Sequence, residues 1–172
     1  VKTNDKVNTA RAISDYNKAI KINPKFIKAF YNRGSAKDEL KDYQGAVADF
    51  TKAIQIDSMY ARAYNNRGIT KVELLDYEGA IADYTKAIEI DSTYSKAYNN
   101  RGIAKTKIKD YEGTIADFSK AIEIDPKYAK TYFNRGLLRI SLGQKDSGCL
   151  DLSKAGELGY KNAYEQIKAL CN

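Results

Sequence analysis

A period of 34 residues constrains the fold of this 172-residue chain more strongly than any other feature. Segments that begin at Ile27, Ala61, Ser95 and Ala129 follow one register, and the second and third are identical at 22 of 34 positions. Self-similarity at a fixed period of this length is typical of arrays in which each unit buries its apolar face against its neighbours. The sequence therefore predicts a stack of similar units.

Each unit is predicted to form two amphipathic helices joined by a turn. In residues 61–94, apolar and small residues recur at helical spacing from Ala63 to Val72 and again from Tyr77 to Ile88. An aspartate precedes the second helix in three of the repeats, where its carboxylate can cap the free backbone N–H groups. These predicted N-caps are Asp42, Asp76 and Asp110.

Each first helix carries a large aromatic residue and, four residues later, a glycine that ends the motif NRG. The recurring residues are Gly34, Gly68, Gly102 and Gly136, with Phe30, Tyr64, Tyr98 and Tyr132. A 34-residue helix–turn–helix unit with this pattern resembles the tetratricopeptide repeat family, in its bacterial form with a DY-x-GAI second helix. The resemblance extends from about Asn8 to Leu170. It implies an all-α fold, a right-handed α-solenoid of stacked antiparallel helix pairs.

The repeats predict one solenoid domain over residues 1–172. Its segments are a partial repeat at 1–26, repeats at 27–60, 61–94, 95–128 and 129–160, and a C-terminal capping helix at 161–172. Residues 1–26 match only the second helix of a repeat, because Ala12, Tyr16 and Ala19 align with Ala46, Phe50 and Ala53. The missing first helix suggests a fragment of a larger protein. The last helix is interpreted as the polar cover that solenoids carry at their ends.

Composition argues against catalysis. The chain contains no histidine, which excludes the usual zinc sites and the Ser-His and Cys-His nucleophile pairs. Cys149 and Cys171 fit no metal-ligand spacing; they are predicted to be reduced, partly buried thiols, with a disulfide between them as the alternative. We therefore expect no enzyme activity, no cofactor and no metal site.

Charge and hydropathy limit the partners. The net charge is +7, but the excess lies mainly at the two ends of the chain, so no continuous basic stripe for nucleic acid is expected. Mean hydropathy is −0.58, and no apolar run approaches the ~20 residues of a membrane span. The chain begins at Val1 and not at Met. The sequence is therefore compatible with a cytoplasmic protein or, if a signal was removed, with an exported one.

Two rows of polar residues on the first helices are the candidate ligand contacts. Asparagine recurs two residues before each glycine and offers both a donor and an acceptor to a peptide backbone; packing is the competing explanation. A basic residue recurs one helical turn earlier, on the same face. The resemblance implies that first helices line a concave groove. The candidate groove residues are Lys28, Asn32, Arg62, Asn65, Asn66, Ile69, Lys96, Asn99, Asn100, Ile103, Lys130 and Asn134.

An arginine precedes each repeat glycine, and each second helix carries an aspartate. The arginines are Arg33, Arg67, Arg101 and Arg135, and the aspartates are Asp15, Asp49, Asp83, Asp117 and Asp151. Their recurrence in step predicts a structural ladder of charge-assisted hydrogen bonds between helices. The pattern leaves open whether each arginine pairs within its own repeat or with the preceding one.

These features predict a protein-interaction module whose groove binds a peptide or partner segment. The basic row favours ligands with acidic groups or a C-terminal carboxylate. The alternative is a scaffold that self-associates through its exposed repeat ends, because the partial first repeat leaves a helix without its usual partner. Neither hypothesis requires insertion into a membrane.

Overall fold

The computed structural model describes residues 2–171, with side chains from residue 7 onward; residues 1 and 172, which complete the first and last predicted segments, lie outside it. This part of the chain forms ten α-helices and no strand. They are α1 (Lys2–Ile22), α2 (Ile27–Glu39), α3 (Tyr43–Ile56), α4 (Ala61–Glu73), α5 (Tyr77–Ile90), α6 (Ser95–Lys107), α7 (Tyr111–Ile124), α8 (Ala129–Ser141), α9 (Lys145–Glu157) and α10 (Asn162–Leu170). The predicted all-α fold is confirmed.

The helices group into two compact units, one ending at Ser92 and one beginning at Thr93. In the first unit, α2 packs against α3, α4 packs against α5, and α3 joins the two pairs by packing on α4. The second unit repeats this arrangement with α6 to α9, and α10 packs on α9. Each unit is therefore a stack of helix pairs, while the assignment of both to one domain stays a prediction.

The predicted aspartate caps are present at the second helices of three repeats. The side chains of Asp42, Asp76 and Asp110 accept hydrogen bonds of 3.0–3.1 Å from the backbone N–H groups of Gly45, Gly79 and Gly113. Each bond satisfies one of the donors that a helix N-terminus leaves free. Aspartate at this position therefore fixes where the second helix begins.

The recurring first-helix glycine allows the second helix to approach closely. A Cβ atom on Gly68 would lie 2.7 Å from the ring of Tyr84, and a Cβ atom on Gly102 would lie at the same distance from the ring of Phe118. A larger side chain would therefore have to displace this ring or separate the two helices of a pair. The glycine and the aromatic residue of the second helix form one packing unit.

The turn inside each of the four repeats contains a residue in the left-handed region, and it is glycine only in the last repeat. Leu75 has φ 63° and is 70% exposed, whereas Gly143 has φ 82° in the corresponding turn. An L-residue in this region costs about 1–2 kcal/mol relative to glycine. We expect Leu75→Gly to raise the free energy of unfolding by about 0.5–1 kcal/mol, measured by urea denaturation. Gly143→Ala should lower it, and a destabilised Leu75→Gly variant would contradict this prediction.

Tyr84 makes the stability of the first unit sensitive to alkaline pH. The side chain is 2% exposed, and burial raises the pKa of its hydroxyl well above the ordinary value of 10.0. Above about pH 10 the unfolded chain loses this proton while the folded protein keeps it, so the free energy of unfolding falls as pH rises.

Replacing Tyr84 with phenylalanine should weaken this pH dependence. Phe50 and Phe118 occupy the same position in other repeats, so the substitution fits the site. We expect the fall in Tm between about pH 9 and pH 11, followed by circular dichroism, to be shallower in the variant. Burial also raises the pKa of Tyr60 and Tyr128, so part of the dependence should remain. An unchanged slope would contradict the prediction.

Candidate functional site

The arginine and aspartate rows form ion pairs inside each repeat. Arg67 donates to Asp83 through Nε at 2.9 Å and through Nη2 at 2.6 Å, a bidentate arrangement that joins α4 to α5. The equivalent pairs are Arg33 with Asp49, Arg101 with Asp117 and Arg135 with Asp151. All four of these aspartates are buried. Each of these arginines therefore pairs with the aspartate of its own repeat and not with that of the preceding one.

Each ladder arginine also makes structural contacts outside its ion pair. The third guanidinium nitrogen of Arg67 donates to the Thr51 hydroxyl on the preceding second helix at 2.9 Å, and the group lies 5.5 Å from the ring centroid of Tyr64. Lys71 adds a second cation to Asp83 at 2.9 Å. These cations are used by the fold, so they are not available to a ligand.

The basic residues at the start of the first helices have a different environment. Lys28, Arg62, Lys96 and Lys130 are all exposed. None of the four forms an ion pair with any residue from 7 to 171. They lie on α2, α4, α6 and α8, two in each unit. This row therefore presents positive charge to solvent on the first helix of every complete repeat.

The asparagine row is partly exposed and partly tied to neighbouring side chains. Asn32 is exposed, whereas Asn66, Asn100 and Asn134 are half-buried. The Asn66 amide donates to the Tyr31 hydroxyl at 2.9 Å. Asn32 is consequently the member of this row with most surface for a ligand, and the others have packing roles as well.

Two candidate groove residues, Asn65 and Asn99, are enclosed by the fold. Their exposed fractions are 3% and 0%. The Asn99 side-chain oxygen accepts from the Thr131 hydroxyl at 3.1 Å, which links α6 to α8. A buried amide must keep such partners, because an unpaired one costs stability. We therefore remove both residues from the candidate groove, where the sequence had placed them.

The remaining apolar candidates, Ile69 and Ile103, border cavities on the first-helix side of each unit. In the second unit a cavity of about 330 Å³ is bounded by Ile103, Leu137, Leu138 and the ring of Phe118. In the first unit a cavity of about 170 Å³ is bounded by Ile69 and more polar neighbours. Lys107 and Glu39 also border these cavities but are not among the candidate residues, although Lys107 lies one helical turn after Ile103.

The two cysteines form a disulfide, so the preferred prediction of reduced thiols is wrong. Cys149 on α9 and Cys171 just after α10 have Cα atoms 5.8 Å apart, within the range that a disulfide requires. The reason is the fold of the C-terminus: α10 packs back on α9, with Ala163 fully buried and the ring of Tyr160 4.7 Å from that of Phe133. The bond ties the predicted capping helix to the last repeat.

Residues 2–171 contain no group of three or more Cys, Asp or Glu side chains arranged to hold a metal ion. Within the same range, every helix is too short or too polar to cross a membrane.

Comparison with known proteins identifies the family. A tetratricopeptide repeat model matches residues 27–60, 61–94 and 95–128, and a second tetratricopeptide repeat model matches residues 118–149. The chain therefore belongs to the tetratricopeptide repeat family. No curated protein sequence matches it at a significant level.

Solved structures share the fold. A crystal structure of MamA has a TM-score of 0.83 at 24% identity and covers 95% of each chain. YrrB, described as a tetratricopeptide protein with an unusual peptide-binding site, has a TM-score of 0.76 at 20% identity over 94% of this chain and 84% of its own. The tetratricopeptide domain of Arabidopsis OM64 has a TM-score of 0.64 at 31% identity over 66% of this chain and 93% of its own. These likenesses show that the chain shares its fold with the solved proteins.

Proposed function

We propose that each unit of this chain binds an extended segment of a partner protein along its first helices. The observation that carries the proposal is the row of four exposed basic residues, one on each first helix, without ion-pair partners among residues 7–171. By contrast, the ladder arginines and the basic residues one helical turn after them are held in ion pairs with buried aspartates, as Arg67 and Lys71 are with Asp83. Positive charge that the fold does not use is suited to acidic side chains or a C-terminal carboxylate.

The neighbouring groups supply the remaining contacts that a peptide needs. The exposed amide of Asn32 offers a donor and an acceptor to a peptide backbone. The cavity beside Ile103 and Leu137 can receive an apolar side chain. YrrB, a protein of the same fold, is described as having a peptide-binding site, which supports peptide binding by this fold.

Neutralising part of the basic row should weaken binding. A library of random 12-residue peptides, displayed on phage, is selected against the full chain, and a selected peptide is titrated by calorimetry. We expect Lys96→Gln combined with Lys130→Gln to weaken this peptide about tenfold, because two charge-assisted contacts are lost.

The matched control is Lys86→Gln combined with Lys120→Gln. These lysines lie on second helices and bind Glu89 and Glu123 at 2.8 Å and 2.6 Å. The control removes the same charge from another face and should change affinity by less than about twofold. Equal weakening in both double variants would refute a role for the first-helix row.

Self-association is a second proposal, and the exposure of α1 favours it. Ile22 is 85% exposed, although Ile56, at the same position of the next repeat, is half-buried. Val7, on the same helix, is 66% exposed. If a second copy covers these residues, the sedimentation coefficient should rise with concentration, and Ile22→Asp should abolish the rise. A concentration-independent coefficient would exclude this proposal.

A further inference from the structure

The cavities of the two units are built at the same positions of the repeat. One lies among α2, α3 and α4, and the other lies among α6, α7 and α8. Both are bounded by a buried phenylalanine of the second helix, Phe50 or Phe118, and by an asparagine of the next first helix, Asn66 or Asn134. The scaffold is thus common to both, and the differences lie in the side chains that complete it.

The first difference is polarity. Ser35 and Thr70 border the cavity of the first unit, and Ile103 and Leu138 replace them in the second unit. The cavity of the second unit is also larger, about 330 Å³ against about 170 Å³. Only the larger value falls in the range of ~300–1,000 Å³ that is usual for ligand pockets. The second-unit cavity is therefore the better receptor for an apolar group.

The second difference is the sign of the charge at the rim. Asp38 and Glu39 border the first cavity, and Thr106 and Lys107 take their places in the second. Asp38 also accepts a hydrogen bond of 2.7 Å from the Thr70 hydroxyl across this cavity, which partly fills it with polar contacts. Lys107 is exposed and forms no ion pair with any residue from 7 to 171.

We infer that the second-unit cavity binds an aliphatic or aromatic side chain of a peptide in which a carboxylate lies one or two residues away, held by Lys107. An extended peptide advances about 3.3 Å per residue, so a flexible lysine at the cavity rim reaches an acidic side chain at that separation. The first-unit cavity, with Asp38 and Glu39 at its rim, repels the same ligand. The inference rests on the proposed peptide-binding function and adds a sequence preference to it.

Peptide selection tests the inference directly. The displayed 12-residue library is selected in parallel against the full-length wild type, Lys107→Glu, Lys107→Gln and Glu39→Lys. We expect wild type to enrich Leu, Ile, Met or Phe within two residues of Asp or Glu. Lys107→Glu should enrich the same apolar residues beside Lys or Arg, and Lys107→Gln should lose the preference for an acidic neighbour.

Glu39→Lys is the matched control, because it reverses the charge at the equivalent rim position of the other unit. It should keep the apolar–acidic preference of the wild type. In calorimetry, a peptide selected by the wild type should bind about tenfold more weakly to Lys107→Glu and within about threefold to Glu39→Lys. Because Lys107 and Glu39 are both on exposed helix surface, the three variants should retain the helical circular dichroism of the wild type.

The outcomes separate this inference from the function on which it rests. If peptides are enriched but their composition is the same for the wild type and Lys107→Glu, the chain binds peptides and the inference is overturned. If Glu39→Lys rather than Lys107→Glu abolishes the acidic preference, the assignment of the cavity is overturned. If the wild type enriches no peptide, the proposed function fails and the inference fails with it.

Discussion

Replacing Arg67 with leucine is expected to lower the free energy of unfolding by about 3 kcal/mol. Asp83, its partner, is 4% exposed and would lose two short hydrogen bonds from the guanidinium group. A carboxylate left in a buried site without its partner pays the cost of desolvation with less compensation. Lys71 stays bound to one oxygen of Asp83, which places the effect at the lower end of the range for broken buried pairs.

Two comparisons test the cause of this loss. Arg62→Leu removes an exposed arginine from the same helix and should change stability by less than about 0.5 kcal/mol. The double variant Arg67→Leu with Asp83→Leu removes both charges and should be less destabilised than the sum of the two single variants. Thermal and urea unfolding measure the wild type and the four variants. An Arg67→Leu protein as stable as Arg62→Leu would refute the structural role of the ladder.

Loss of the Cys149–Cys171 disulfide is expected to cost about 3 kcal/mol in the chain-entropy description of such cross-links. The bond closes a segment with a sequence separation of 22. Its effect should concentrate on α10, which has 9 residues, fewer than the roughly 12–15 that an isolated helix needs to be even marginally stable. We expect reduction to increase amide hydrogen exchange in residues 162–170 while the exchange of α2 to α5 stays unchanged.

The variant Cys149→Ser with Cys171→Ser provides the control for this prediction. It should show the fast exchange of α10 without reductant, and adding reductant should then change nothing. Equal protection of α10 in the oxidised and reduced wild type would mean that packing alone, chiefly through Ala163 and the Tyr160–Phe133 contact, holds the helix.

Most of the fold could be predicted because the same local signals recur in each repeat. Asp42, Asp76 and Asp110 each mark the start of a second helix, and the structure shows the hydrogen bond that makes each one a cap. Glycine and aromatic positions were likewise set by contacts within one helix pair, such as Gly68 against Tyr84. Contacts of this kind form between residues close in sequence, so the repeat pattern predicts them.

What the sequence could not predict depends on contacts between repeats. Asn99 and Asn100 are adjacent and identical in type, yet only Asn99 is enclosed, because Thr131 of the next first helix covers it. The disulfide requires α10 to fold back on α9, and nothing in the spacing of Cys149 and Cys171 specifies that. The charge at the two cavities could not be predicted from periodicity, because the side chains at one repeat position, Glu39 and Lys107, carry opposite charges.

The ladder arginines contact both their own repeat and the preceding one, and these contacts affect how such an array unfolds. Arg67 binds Asp83 of its own repeat and Thr51 of the preceding one, and Arg33 likewise joins Asp49 to Asn17. If one repeat melts, the repeat before it loses a hydrogen bond to a second helix. Nearest-neighbour coupling of this kind favours cooperative unfolding, in which the repeats of the first unit melt together and partly unfolded arrays are rare. The same arginine that fixes the geometry of one helix pair thus makes the stability of its neighbour depend on it.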